Sequence, residues 1–381
     1  MMENVYILGG LRSYIGVYNG MYRHVPAERL GADVLQRLVS SCHIPTKDID
    51  SIICGNAVGG GGNSTRLMAL LAGMDETIPS FTIDMQCCSG LQSICTASTA
   101  ITCGQEHVSI VGGFESASTQ PIRSHHPNHP AYTGVHDTYM TAQFVPSCWD
   151  EQIMLKSAEA TASEANISRH DLDTWVLRSH RLAYQAEQAG VLHRVQADIQ
   201  GSTRDEGIRR RINQKFLDRL PCILPEGNVL TAGNTCLTHD GAALLAICSE
   251  SYYKTHACHP IGKIKGFCMT GTNPLLSPMG AVQSIEKLLR QQKMNASDID
   301  VFEVNEAFAV IDELFARAYP NCVERYNILG GALAYGHPYG ATGAMLILHT
   351  LTALQQTEGT LGCCSIAGAG GLGCAVLIER I

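Results

Sequence analysis

The sequence contains no apolar run of the roughly 20 residues that a membrane-spanning helix needs, so no membrane partner is expected. None of its 16 cysteines stands in a CxxC pair. They are scattered along a large chain, many inside apolar runs, which excludes a small disulfide scaffold and leaves reduced thiols as the expectation. The 15 histidines include "HHPNHP" from His125, yet no Cys or His pair has ligand spacing on a recognisable turn, so no metal is expected. Charge is sparse at 16%, and the net charge of −8 excludes nucleic acid as the main partner. No positive leader precedes the short apolar run of "MMENVYILGG", which reads as a first strand and not a signal peptide, and "VLIERI" carries no address. A cytoplasmic protein is expected.

What is present is a large apolar share, 45%, in a chain of 381 residues, enough for two or three domains around a sizeable core. One basic stretch departs from the general balance. "STRDEGIRRRINQKFLDRL" gathers Arg204, Arg209, Arg210, Arg211, Lys215 and Arg219, and reads either as a solvated helix face or as an anchor for a phosphorylated ligand.

An internal repeat organises the rest. "KDIDSIICGNAV" and "SDIDVFEVNEAF" share an Asp-Ile-Asp step into an apolar run, with Asp48 and Asp298 lying 250 positions apart. The same offset carries Cys87 onto His337. Each opens a stretch without Asp, Glu, Lys or Arg, residues 85–105 and 326–357, and such stretches predict helices buried on all sides. Buried strands are predicted at "VYILGG", "IDSIICGN", "HVSIVGG", "IGKIKGF", "IDVFEVN" and "GTLGCCSIAG", with amphipathic helices such as "AERLGADVLQRLV" and "SIEKLLRQQ" between them. The expected fold is α/β: two duplicated βαβ-type halves, residues 1–114 and 246–381, flanking an inserted lid or loop region over 115–245.

In open α/β sheets functional groups gather where strands end and helices begin. Cys87 follows the strand "SFTID" and precedes a helix starting near Ser89, so the positive end of the helix is expected to lower its thiol pKa. His337 takes the equivalent place in "GGALAYGHPYGATG". Pseudo-twofold symmetry would bring the two to one central site, and Cys with His is the minimal pair of nucleophile and base. Either residue alone has an ordinary reading, a small core cysteine or a turn histidine. Their matched positions in the repeats favour the functional one.

On these residues the chain resembles the thiolases, acyl-CoA acyltransferases with a five-layered αβαβα fold, nearly end to end. "QCCSGLQS" is similar to the family's nucleophile segment and makes Cys87 the nucleophile. "NEAFA" resembles the segment whose Asn, here Asn305, holds a catalytic water and whose Phe, here Phe308, lines the acyl pocket. "GGALAYGHPYGATG" matches the His segment. "LTAGNTCLTHDGAA" resembles a CoA-contacting loop, which assigns Ala232 and Cys236 to substrate, and "DEGIR" puts Arg209 near the nucleotide phosphates. The resemblance implies CoA thioesters as substrates without a further cofactor, a Cys-linked acyl-enzyme, Claisen condensation with acetyl-CoA or its reverse, and a homodimer or homotetramer.

The departures are equally specific. Where the family closes with Cys-x-Gly-Gly-Gly-x-Gly, "AGAGGLG" has Ala367 in the position of the second acid/base Cys and Ala369 in place of the first of three glycines. Cys363 and Cys364 lie about 10 to 13 Å back along the strand at ~3.3 Å per residue, too far to substitute. Ala369 can still offer its backbone N–H to an oxyanion if its φ/ψ suits a side chain. Ile153, before Met154 in the substrate-contacting lid, stands where a His is usual, and Cys236 where a Ser is usual. The missing acid/base leaves three functional outcomes: a thiolase that uses His337 or water instead, decarboxylative condensation as in ketosynthases, or an acyl-CoA-binding subunit without catalysis.

Overall fold

The computed structural model describes residues 3–146, 152–236, 238–256 and 258–381. Among the described residues an eleven-stranded sheet has nine strands on its main path: β1 (Val5–Ser13), β2 (Ser51–Gly55), β3 (Ser80–Ile83), β4 (Val108–Ser116), β5 (His239–Ser249), β6 (Gly262–Gly271), β7 (Val301–Val304), β8 (Leu361–Gly368) and β9 (Leu372–Arg380). Their spatial order is β3-β2-β4-β5-β1-β6-β9-β8-β7, and two further short pairings attach to β1 and β5. The order is symmetric about the junction of β1 and β6, which pair antiparallel through Val5–Ile7. On one side β1, β2, β4 and β5 correspond to β6, β7, β8 and β9 on the other. Even the outer strand β3 has a vestige, an isolated parallel bridge from Phe302 to Tyr326. The repeat read from the two Asp-Ile-Asp steps is therefore a repeat of structure.

Between the two halves of the sheet lie α3 (Ser89–Thr102) and, near the C-terminus, α8 (Tyr339–Gln356). Residues 340–354 of α8 are all buried, as the absence of charge predicts. Outer helices complete five layers: α1 (Ala27–Ser41) and α2 (Ser64–Leu71) cover one half, α6 (Met279–Gln292) and α7 (Ala309–Ala318) the other. The strands divide their side chains between layers by the two-residue period. In β5, Leu244, Ala246 and Cys248 face the core under α1, whereas Ala243, Leu245 and Ile247 face the central helices.

Two glycines set how close those central helices come. A Cβ on Gly90 would lie 2.3 Å from the Gly340 carbonyl oxygen, and one on Gly343 would lie 2.0 Å from the Leu91 nitrogen. The helices thus touch backbone to backbone in their first turns, and their N-terminal ends converge.

The intervening region contains α4 (Ile153–Glu164) and α5 (Arg169–Ala189), the latter started by a capping box between Ser168 and Asp171. Its sequence boundaries need correction on both sides. β4 continues to Ser116 across the 114/115 limit, and β5 runs across the 245/246 limit as a central strand of the first half. "HDGAALLAICS" was hidden because Ala and Leu favour helix, while burial on both faces makes it a strand. Fifteen described cysteines are unpaired. No helix among the described residues is long and apolar enough to cross a membrane.

Candidate active site

Cys87 sits in the turn between β3 and α3. Gln86 before it has φ +53°, a left-handed conformation held by Asp84, whose Oδ1 accepts from the Gln86 amide (2.9 Å) and side chain (3.3 Å). Ser89 braces the turn, accepting from the Met85 amide at 2.8 Å and donating to the Gln86 carbonyl. The turn sets Cys87, a half-buried residue, against a cavity of about 270 Å³. His337 enters the same cavity from the other half, just ahead of α8.

The hydrogen bonds around His337 assign its tautomer. Thr342 gives its one hydroxyl proton to the Pro338 carbonyl (2.9 Å), so its oxygen accepts from His337 Nδ1–H at 2.6 Å. Nε2 is then the bare nitrogen, and it accepts from Asn305 Nδ2 at 3.3 Å. Burial first, and then the neighbouring His239, pulls the His337 pKa down to about 3. The imidazole is a neutral base. Asn305, at the end of β7, is fully buried, and its Oδ1 has no protein partner, which leaves an acceptor for a water molecule.

The thiol does not have the lowered pKa that its place before a helix predicts. A helix terminus is worth about 0.3–1 kcal/mol, less than a tenfold change in proton affinity. Burial outweighs it and pushes Cys87 up to about 12, opposed by the N–H groups of Ala369 and of Cys87 itself directed at the sulfur. Those same two N–H groups are the donors that an oxyanion formed at a carbon attacked by this sulfur would meet. Ala369 is tolerated because its φ is not positive; the left-handed positions are the next two, Gly370 (+82°) and Gly371 (+79°), and both remain glycine.

Met154, Cys236, Phe308 and Ala369 line the cavity with Cys87 and His337. Arg209 and Ala232 do not. They line an adjoining cavity of about 90 Å³ that shares Thr235 with the first. Among the described residues no carboxylate pairs with Arg209, in contrast to Arg210, which is bound to Glu187. Ala367 is buried within β8 and does not line the cavity, and neither do Cys363 and Cys364. Burial pushes the Cys236 thiol well up. No group of three or more His, Cys, Asp or Glu among the described residues could hold a metal ion.

The sequence reading missed Thr342, His239, Tyr339 and Glu115. Tyr339 lies edge-on to the His337 ring, 4.9 Å between centroids. Thr342 stood in the quoted "GATG", and its spacing of five from His337 at a helix start was the signal available. Thr342→Val keeps the shape but strands Nδ1–H in a buried site, at a cost of about 1–3 kcal/mol. Release of CoA in the first turnover is expected to slow by about 5- to 150-fold. An unchanged rate would remove Thr342 from the assignment.

The family model of the thiolase N-terminal domain matches residues 5–251, and that of the thiolase C-terminal domain matches residues 258–380. The chain belongs to the thiolase family. A Staphylococcus aureus (strain COL) protein named "Probable acetyl-CoA acyltransferase" is 32% identical over 393 residues, covering 100% of both chains. The crystal structure of the Bacillus anthracis acetyl-CoA acetyltransferase superposes with a TM-score of 0.92 at 28% identity, over 100% of this chain and 99% of that one. Human mitochondrial 3-ketoacyl-CoA thiolase in complex with CoA gives the same score and identity, over 100% and 98%. The protein is thus an acyltransferase with thiolase chemistry, and its five layers are those of the thiolase fold.

Proposed function

We propose that this thiolase transfers acyl groups between CoA thioesters through an acyl-enzyme on Cys87. The observation that carries the reading is the cavity into which Cys87, His337 and the Ala369 backbone all project. In the first half-reaction His337 Nε2 takes the thiol proton as sulfur attacks the thioester carbonyl. The N–H groups of Cys87 and Ala369 bind the oxyanion, and its collapse expels CoA as a thiolate that takes the proton back from His337. Because thiol and imidazole both rest neutral, the proton moves only when an electrophile is present. In the second half-reaction His337 Nε2 takes the α-proton of another acetyl-CoA, and the resulting N–H, with a water on Asn305, holds the enolate oxygen in a cavity walled by Phe308 and Met154. The carbanion attacks the acyl group, and the departing Cys87 thiolate takes that proton back from His337. The residues named here require no resident cofactor.

A second reading is favoured by one residue. Ala367 offers no proton acceptor, and a positioned acid/base group is worth about 10²- to 10⁴-fold. A substrate that loses CO₂ to form the carbanion would not need one. Product analysis with acetyl-CoA alone and then with malonyl-CoA separates the two: condensation product from acetyl-CoA alone supports the thiolase reaction, and product only with malonyl-CoA replaces it with the decarboxylative one. No acyl-enzyme with either would leave a binding subunit.

Arg209, free of a carboxylate, is proposed to meet CoA phosphate at the smaller cavity, near Ala232, with Cys236 alongside the arm between the two cavities. Arg209→Gln is expected to raise KM for acetyl-CoA about tenfold or more while leaving turnover of a short acetyl thioester without a nucleotide unchanged. Equal losses on both substrates would remove the assignment.

The cysteine content supports a reducing, cytoplasmic location. Exposed Leu67, Leu70 and Leu71 on α2, beside the exposed Phe81 of edge strand β3, support pairing of two copies through their sheets into a dimer or a dimer of dimers.

A further inference from the structure

Glu115, the penultimate residue of β4, is a buried carboxylate that the acyl-transfer steps do not use. Its position in β4 turns it toward the central layer, on the face of Val111 and opposite to Phe114, so α1 lies on the far side of the strand. Its two oxygens accept four hydrogen bonds. Oε1 takes Asn56 Nδ2 (2.8 Å) and the Val58 amide (3.1 Å); Oε2 takes the Ala57 amide (2.9 Å) and the Gly340 amide (2.9 Å).

These donors come from both halves of the molecule. Ala57 and Val58 belong to the loop after β2 and line the cavity beside Cys87. Gly340 is the second residue of α8, three after His337, and Pro338 at the start of that helix provides no side-chain cap. A carboxylate from the other half supplies the cap instead, at the positive end of the helix. All four partners donate, so only the ionised carboxylate satisfies them; a protonated one would set a hydroxyl against an N–H.

We propose that Glu115 is a positioning residue, which caps α8 from across the pseudo-twofold axis and so fixes the imidazole of His337 against the thiol of Cys87. The proposal rests on the Cys87–His337 reading above. Burial raises Glu115 to about 7, against the pull of the Ala57, Gly340 and Val58 amides. The titratable groups facing it from its surroundings are Asp84 in the turn before α3, His239 on β5, and Cys87, His337 and Tyr339 around the cavity; α3 itself has no charged residue. Asp84 adds to the rise. His337 stays neutral down to about 3 and contributes no transition near neutrality.

The experiment follows acetylation of Cys87 by acetyl-CoA, read as the rate of intact-mass increase across pH 5 to about 9 on the full-length protein. In the wild type the rate falls as pH drops through about 7, because protonation of Glu115 dismantles the cap. Glu115→Gln presents a neutral amide at every pH. It is expected to lose this transition and to acylate about tenfold more slowly at pH 8. Asn56→Ala removes one donor that favours the charged form, so the transition is expected to move to higher pH while Glu115 remains. A Gln variant with the wild-type transition, or an Asn56→Ala transition that stays in place, overturns the proposal; if Glu115→Gln does not fold, the Asn56→Ala profile decides. A wild type that never acylates overturns the functional reading itself, whereas a wild type that acylates with unaltered variants overturns only the role of Glu115.

Discussion

Incubated with acetyl-CoA, the native protein is expected to gain the mass of one acetyl group, and Cys87→Ala to gain none. The cavity contains a second thiol, Cys236, but its N–H surroundings differ: the backbone donors at Ala369 and Cys87 are directed at the Cys87 sulfur. An attack from Cys236 would leave the oxyanion without them. Removing the nucleophile from a unit whose members act together is expected to cut turnover at least about 10³-fold. Peptide mapping that found the acetyl group on Cys236, or an adduct of equal yield on Cys87→Ala, would sink the assignment of the nucleophile. His337→Ala should also suppress acylation, since Cys87 with a pKa near 12 yields almost no thiolate near neutrality without a base beside it.

The second large effect is a gain. Ala367→Cys places a thiol where the resemblance to thiolases leads one to expect an acid/base cysteine, on β8 two residues before Ala369, the proposed oxyanion donor. If proton removal from the second acetyl-CoA limits condensation, the variant is expected to condense acetyl-CoA about 10²- to 10⁴-fold faster than the native protein, with acyl-enzyme formation unchanged. The coupled measurement is product formation from acetyl-CoA alone beside the burst of CoA release. Ala367 is packed in a buried strand, so thermal melting of the variant shows whether the added sulfur is accommodated. A folded variant whose condensation stays at the native rate would show that a thiol at 367, outside the residues that line the cavity, does not act as the base, and the comparison with malonyl-CoA would then decide between the two reactions.

Much of the architecture was legible in the chain. The charge-free stretches marked α3 and α8 as helices; α8 is buried throughout 340–354 as expected, whereas α3 leaves Thr99 exposed and Gln92, Thr96 and Ala100 half-buried, a face covered by uncharged residues. The offset that carries Cys87 onto His337 predicted one shared site, and both residues line one cavity. What escaped was contextual. β5 reads as helix or loop locally, and only its place between β4 and β1 makes it a strand. Arg209 and Ala232 line a second cavity that meets the first at Thr235, a placement that depends on how distant segments pack.

The sequence by itself determined which atoms are available for chemistry: a thiol and an imidazole at repeat-related positions, Asn305 after a strand, and Ala367 where the resemblance to thiolases leads one to expect an acid/base thiol. Composition and periodicity are local properties, and they suffice to place such groups at strand ends and helix starts. The tertiary structure alone decided their protonation and their orientation. Thr342 and Pro338 put the proton on Nδ1, burial drives the Cys87 and His337 pKa values apart, and Glu115 reaches from one half to cap the helix of the other. Those properties depend on solvent exclusion and on contacts between residues far apart in the chain, such as Glu115 and Gly340, 225 positions apart, which no window of sequence contains.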